Sequence, residues 1–159
     1  MSMEINSSEN IAKIFSIFHD GGINGYSFQN DELTLTVDIM YLAQRIDTSF
    51  KTFKIIIKEL NQLSLTTWPD DSNQEPEIIK DTSLVFEGDL EILDGEIEKD
   101  LVKIIFNQTK PKMGYCGGYI HFQAKTASVK DEAGKEYSIK ELTDLAKGYW
   151  QEWEQRKKT

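Results

Sequence analysis

Between residues 32 and 39 the chain reads ELTLTVDI, in which Leu33, Leu35, Val37 and Ile39 alternate with Glu32, Thr34, Thr36 and Asp38. Successive side chains of a strand point to opposite faces, so this stretch predicts a strand with one apolar and one polar face. The same pattern recurs along the chain. Phe53, Ile55 and Ile57 alternate with Lys54 and Lys58. Leu63 and Leu65 begin a strand that ends near Trp68, Val102, Ile104 and Phe106 mark another, and Ile120, Phe122 and Ala124 form the buried face of the next. Parallel strands are covered on both faces and read as continuous apolar runs, whereas one-sided alternation belongs to an antiparallel sheet. Tyr26 and Phe28 share a face of a short strand, and Asn30-Asp31 suits a tight hairpin to ELTLTVDI. Leu84, Phe86, Leu90 and Ile92 keep one parity with Gly88 as a bulge or bend, and Asp94-Gly95 is a two-residue hairpin signal before the strand at Val102.

Two segments carry the helical period instead. Ile11, Ile14, Phe15 and Phe18 fall at i, i+3, i+4 and i+7, with Ser7 or Ser8 to cap the start and Gly21-Gly22 to stop the helix. Near the C-terminus Ser138 and Glu141 form a capping box. Ile139, Leu142, Leu145, Ala146, Tyr149 and Trp153 then line one face, and Arg156, Lys157 and Lys158 sit where the helix dipole favours cations. "PDDSNQEPEIIKD" (69–81) breaks the periodicity and reads as an exposed loop, and "KDEAGKE" (130–136) is a turn. Almost every link between strands is too short for a parallel crossover. The expected architecture is α+β: a mainly antiparallel sheet of about seven or eight strands, flanked by an N-terminal and a C-terminal amphipathic helix, in a single globular domain over 1–159.

No apolar run approaches the length that spans a bilayer, and residues 1–20 lack the pattern of a secretory leader. With one cysteine, Cys116, no internal disulfide is available, and the expected location is cytoplasmic. The net charge of −9 repels nucleic acid and anionic lipid and favours basic partners, although solubility alone also accounts for it.

Few residues offer chemistry. His19-Asp20 could join His121 in a mixed metal site, but two adjacent side chains do not fill a coordination shell, and closing the N-terminal helix, with Asp20 bonded to backbone N–H groups of the Gly-Gly turn, is the simpler role. Cys116 and His121 would make a nucleophile and base only if they shared a strand face. Alternation instead places Cys116 on the buried face with Ile120 and Phe122 and turns His121 to solvent. "MGYCGGY" (113–119) lacks the Lys-Ser/Thr of a phosphate-binding loop and leads into a strand. Neither a cofactor nor a metal is expected. Trp150 lies off the stripe of the C-terminal helix: exposed, it would be an interface anchor; buried, it would require that helix to lie deep on the sheet.

The segment "IFHDGGINGYSFQNDELTLTVDI" (17–39), with the later "YWQEWEQRK" (149–157), resembles small bacterial immunity proteins found beside polymorphic or contact-dependent toxins. In several such families an FHD box precedes a first hairpin of alternating aliphatics, as Phe18, His19 and Asp20 precede Tyr26 to Ile39 here. The resemblance covers roughly residues 1–45. It implies a protein that is not an enzyme and that binds and blocks a cognate toxin, often through an acidic surface mimicking nucleic acid. Interfaces in such families vary with the toxin, so no residue role carries over.

Two functions follow as expectations. The first is a non-catalytic acidic binding protein, an immunity-type inhibitor of a basic toxin domain such as a nuclease, without nucleic-acid or membrane partners. Its candidate contacts are Asp70, Asp71, Glu75 and Glu77 in the loop, Glu87, Asp89 and Glu91 as a strand-face row about 13–14 Å long, and Trp150. An ordinary solvated face is the alternative reading of those acids. The second is a small-molecule enzyme or ligand-binding domain with a pocket near His19, Asp20 and His121, helped by Tyr115 and Tyr119. Oligomeric state has no signature in the sequence.

Overall fold

The computed structural model describes residues 3–157. Helix α1 (Ser8–Ile17) leads into the hairpin β1 (Gly22–Gln29) and β2 (Glu32–Asp38), then a single turn, α2 (Met40–Ala43). Strands β3 (Thr52–Lys58), β4 (Asn61–Pro69) and the short β5 (Ile78–Ile79) follow, then a second single turn, α3 (Thr82–Val85). The chain continues through β6 (Leu90–Glu98), β7 (Leu101–Gln108), β8 (Tyr115–Gln123), β9 (Thr126–Lys130) and β10 (Glu136–Tyr137) to the terminal helix α4 (Ile139–Lys157). The sheet runs β10-β9-β3-β2-β1-β6-β7-β8-β4-β5, and its paired neighbours are antiparallel. The α+β class holds, with ten strands rather than seven or eight. The two-residue β5 and β10 are too short to show an alternation of their own.

Two pairs of consecutive strands are single strands bent at a corner. The β3–β9 ladder ends at Lys58 opposite Thr126, Lys125 N–H donates to Lys58 O at 3.1 Å, and the β4–β8 ladder starts at Asn61 opposite Gln123. Positive φ values at Glu59 (53°) and Gln62 (57°) supply the bend. The ladder therefore turns the corner intact, and the sheet rolls around its apolar face.

The alternation read in the sequence is the core. Leu33, Leu35, Val37, Phe53, Ile55, Ile57, Val102, Ile104, Phe106, Ile120 and Phe122 are all buried. Helix α1 lies on this face, with Ile11, Ile14, Phe15 and Phe18 buried while Glu9 and Lys13 stay exposed. Full burial of such a side chain stabilises by about 1.5–3 kcal/mol. Ser7 Oγ caps α1, accepting from Asn10 N–H at 3.2 Å. The other end closes differently from expectation: Asp20, at φ 70°, takes the left-handed position, and the Gly21 N–H donates to Phe18 O at 3.0 Å. Asp20 contributes its backbone N–H, to Ile92 O at 2.7 Å, rather than a carboxylate bonded to the Gly-Gly turn.

Other readings also change. Asn30 (φ 53°) and Asp31 (φ 63°) make the expected hairpin turn, both in the left-handed region as a type I′ turn requires. Asp94-Gly95 is no turn. It lies inside β6, and the hairpin to β7 is made by Lys99 (φ 51°) and Asp100 (φ 31°). Gly95 serves a close crossing instead, since a Cβ there would lie 2.3 Å from Ala12 O and 2.7 Å from Phe15 Cβ of α1. The 84–92 stretch is not one strand: Asp81 Oδ1 accepts from Ser83 N–H at 2.9 Å and caps the α3 turn, and β6 begins only at Leu90.

The capping box of α4 forms as read, with Ser138 N–H to Glu141 Oε1 and Glu141 N–H to Ser138 Oγ both at 3.1 Å. Its stripe is shallower than expected. Leu142 is buried, Ile139, Leu145, Ala146 and Tyr149 are partly covered, and Trp153 is exposed. Arg156 and Lys157 occupy the last turn, while Lys158 lies outside the described residues. Among the described residues no helix is long and apolar enough to cross a membrane.

Candidate functional site

The β1–β2 and β6–β7 hairpins meet only at the first residues of β1 and β6 and run off in opposite directions from there. They touch where Gly22 pairs with Glu91 and Ile23 with Leu90, an antiparallel contact extended by Ile92 N–H to Gly21 O at 2.8 Å. Each strand then leaves the other through a bulge, β1 at Asn24 and β6 at Leu93, where one extra residue breaks the register with its hairpin partner. The pairing is antiparallel and limited to the first two residues of each strand, so the two run off in opposite directions, and the bulges bend each of them further. Helix α1 occupies the notch on the β6 side, against Gly95. The notch on the β1 side is open, a groove of about 660 Å³.

That groove is lined by Gly22 to Tyr26, Asp38, the segment from Phe86 to Glu91, and Thr109. Asp38, Glu87, Asp89 and Glu91 bring four carboxylates to it, with no lysine or arginine among the lining residues. Lys110 reaches the rim, its Nζ 3.4 Å from Glu87 O. Asn24 Nδ2 donates to Asp38 Oδ1 at 3.0 Å and holds that carboxylate across the bulge. Tyr26 stacks at a tilt on Phe86, ring centroids 5.1 Å apart. The row expected of Glu87, Asp89 and Glu91 on one strand face is not built that way, because Glu87 and Asp89 precede β6. They gather in the groove through the shape of the 86–89 connection.

A residue the sequence reading missed holds that connection. Gln108, buried at the end of β7, uses both ends of its amide. Its Oε1 accepts from Asp89 N–H at 3.0 Å and Lys110 N–H at 2.6 Å, and its Nε2 donates to Lys110 O at 3.1 Å and Tyr115 O at 3.0 Å. A Cβ on Gly88 would sit 2.8 Å from the same Oε1, so any larger residue there would displace the Gln108 amide from its hydrogen bonds. A glutamine adjoining an alternating strand carries no local sign that it will be enclosed.

The second acidic group is separate. Asp70, Asp71, Glu75 and Glu77 are exposed around the 69–77 loop. Asp71 Oδ1 turns the loop by accepting from Asn73 N–H at 2.9 Å, and Glu77 N–H donates to Thr67 Oγ1 at 2.9 Å. Glu75 and Glu77 line a smaller cavity of about 330 Å³ with Tyr115 and Met113. Burial pushes the Tyr115 hydroxyl above its ordinary value, with the Glu87 charge adding to it.

The residues considered for catalysis have different neighbours. His19 Nδ1 lies 2.9 Å from Ser16 O, and its ring stacks on Trp150 with centroids 5.5 Å apart. Tyr41 Oη donates to His19 O at 2.8 Å, and its hydroxyl is pushed well up by burial and then by the Asp20 charge. His121 takes the outer side of β8 opposite Lys103, as the alternation predicts, but it is largely covered rather than turned to solvent, with its Nε2 buried 3.7 Å from Glu98 Oε2. Lys103 Nζ sits 2.7 Å from Glu98 Oε2, which holds the Glu98 carboxyl below its usual range, and 4.1 Å from the centre of the Tyr119 ring. None of His19, Asp20 and His121 lines the groove or any of four smaller cavities found among the described residues. Among the described residues no three His, Cys, Asp or Glu side chains are placed to hold a metal ion.

Cys116 is exposed rather than buried. It is the extra residue where Trp68 pairs with Gly117 and Pro69 with Tyr115, so the bulge shifts parity and buries Tyr115 in its place. Trp150 and Trp153 are 36% and 40% exposed, so α4 does not lie deep enough to cover either. Arg45 reaches α4 instead, with its Nη1 2.7 Å from Glu152 Oε2. No family model, no curated protein and no solved structure matches the chain.

Proposed function

We propose that this chain is a non-catalytic, cytoplasmic binding protein of the immunity type, which neutralises a basic bacterial toxin domain by direct contact. One observation carries the reading: Asp38, Glu87, Asp89 and Glu91 line a single open groove without a lysine or arginine in its wall. A net charge of −9 favours encounter with a basic surface, and the carboxylates concentrate that field where a partner can enter. Tyr26 and Phe86 supply aromatic surface beside the acids, the kind of anchor that gives an interface its affinity. Trp150, exposed on α4, is a second anchor outside the groove.

The gene beside this one names the partner to test. A toxin with a basic C-terminal domain is expected there, and that domain should bind this chain in calorimetry and lose its toxicity on co-expression. Reversing Glu87, Asp89 and Glu91 to lysine together should weaken binding about tenfold or more, as loss of close charge pairs does. Tight binding unchanged by the triple reversal would contradict the groove as the contact. Absence of both binding and protection would contradict the immunity reading.

A further inference from the structure

The open half of β1 offers more than charge. We propose that the groove's occupant is an extended segment of the partner protein, apolar on one side and basic on the other, which adds to the edge of β1 from Asn24 to Gln29 as a further strand. This rests on the binding reading above and specifies its geometry.

Backbone pairing supports it first. Left-handed Asn30 and Asp31 form a two-residue turn, so Gln29 and Glu32 close the hairpin as a hydrogen-bonded pair. Bonded and non-bonded pairs alternate, which leaves Tyr26 and Phe28 with N–H and C=O directed away from β2. On that side β1 pairs with β6 only at Gly22 and Ile23. The remaining six residues make an edge of roughly 20 Å at about 3.3 Å per residue.

The edge also lacks the usual protection. Strands at sheet edges are kept short or guarded by charge or proline. The two ends of this sheet, β5 and β10, are two residues each. The open part of β1 reads NGYSFQ, with neither a charge nor a proline. Nothing lies within 4 Å of where a Cβ on Gly25 would stand, so the sheet face at that residue is open.

Side chains then define the partner. Tyr26 and Phe28 lie opposite the buried Leu35 and Leu33, on the core side of the sheet, yet remain exposed. Glu91 and Asp38 flank Gly22 on the opposite face, since the neighbouring row of Leu90, Ile23 and Val37 points inward. An added strand would cover the aromatics with its apolar side chains and set its basic ones towards the acids. A second copy of this chain would instead bring two sets of the same acids together. Strand addition draws affinity from main-chain bonds and specificity from alternate side chains, which fits an occupant of this pattern.

The test uses the whole protein and a capped decapeptide of alternating valine and lysine, followed by amide NMR. The expected result is saturable binding that protects the Tyr26 and Phe28 amides. The same peptide N-methylated at alternate residues keeps its charge and should bind about tenfold more weakly, because it cannot complete the ladder. Equal binding of both peptides, weakened alike by reversing Glu87, Asp89 and Glu91 to lysine, would overturn strand addition and leave the acidic groove standing. Selective binding of the unmethylated peptide that ignores the charge reversal would support strand addition and count against the acidic groove. Binding of neither peptide overturns both. Self-association with Tyr26 and Phe28 already protected would overturn the proposal in favour of a second copy.

Discussion

Tyr26 stands directly opposite Leu35 across the β1–β2 ladder, so both face the core side of the sheet, yet Tyr26 is 39% exposed and Leu35 is 0% exposed. Leu35 sits between two paired strands, β1 and β3, whereas β1 beyond Ile23 has no paired neighbour on its other side. Leu35→Ala should therefore cost about 2–5 kcal/mol, the range for a buried leucine. Tyr26→Thr and Phe28→Thr should each cost about 1 kcal/mol or less, since a partly exposed side chain has little burial to lose. Urea unfolding of the three variants measures the contrast, and similar losses would mean that the β1 aromatics are enclosed.

Gly95 and Gly25 should respond oppositely to the same substitution. A Cβ at Gly95 meets the Ala12 carbonyl oxygen at 2.3 Å, a backbone atom that moves only if α1 moves, whereas Gly25 has nothing within 4 Å. Gly95→Ala should destabilise by about 2 kcal/mol or more and lower the thermal midpoint. Gly25→Ala should change stability by no more than about 0.5 kcal/mol. Calorimetry on both variants reads the difference.

Gln108→Leu keeps the side chain's approximate size and removes four hydrogen bonds. Asp89 and Lys110 N–H lose their acceptor, and the Lys110 and Tyr115 carbonyls lose their donor. Each polar group left buried and unpaired costs about 1–3 kcal/mol. A loss of at least about 2 kcal/mol in urea unfolding is expected, with chemical-shift changes at residues 86–91. A neutral substitution would show that Gln108 does not hold the groove wall.

Stability should fall in acid partly through Glu132. Its carboxylate accepts the backbone N–H groups of Lys51 and Thr52, tying the chain before β3 to the β9–β10 turn. Those bonds favour the charged form and hold its carboxyl below the ordinary 4.5. A carboxylate depressed in the folded state contributes fully above its unfolded value, and that contribution is lost as pH falls through the folded one. The gap in thermal midpoint between wild type and Glu132→Gln should therefore shrink from about pH 6 to about pH 3. A gap that is constant over that range would contradict the role given to Glu132.

What the sequence showed follows from how local each feature is. The one-sided alternation of β2, β3, β7 and β8 placed most of the core because burial there repeats every second residue. The Asn30-Asp31 turn and the Ser138–Glu141 box were legible because each is closed by residues within a few positions. Asp94-Gly95 misled because its glycine answers to α1, a contact from far along the chain. The bulges at Asn24, Leu93 and Cys116 each insert one residue and shift parity, leaving no trace in composition. Glu87, Asp89 and Glu91 were picked out as acids, but their setting was not legible. It depends on β1 leaving β6 and on Gln108, neither of which is local to them.

Amide hydrogen exchange on the free protein tests the open β1 edge most directly. Gly25 and Ser27 should be protected by their bonds to β2, while Tyr26 and Phe28, whose N–H groups are directed away from β2, should exchange at close to unstructured rates. Comparable protection at all four amides would mean that the edge is already paired, and neither the groove nor the strand proposed to fill it would stand.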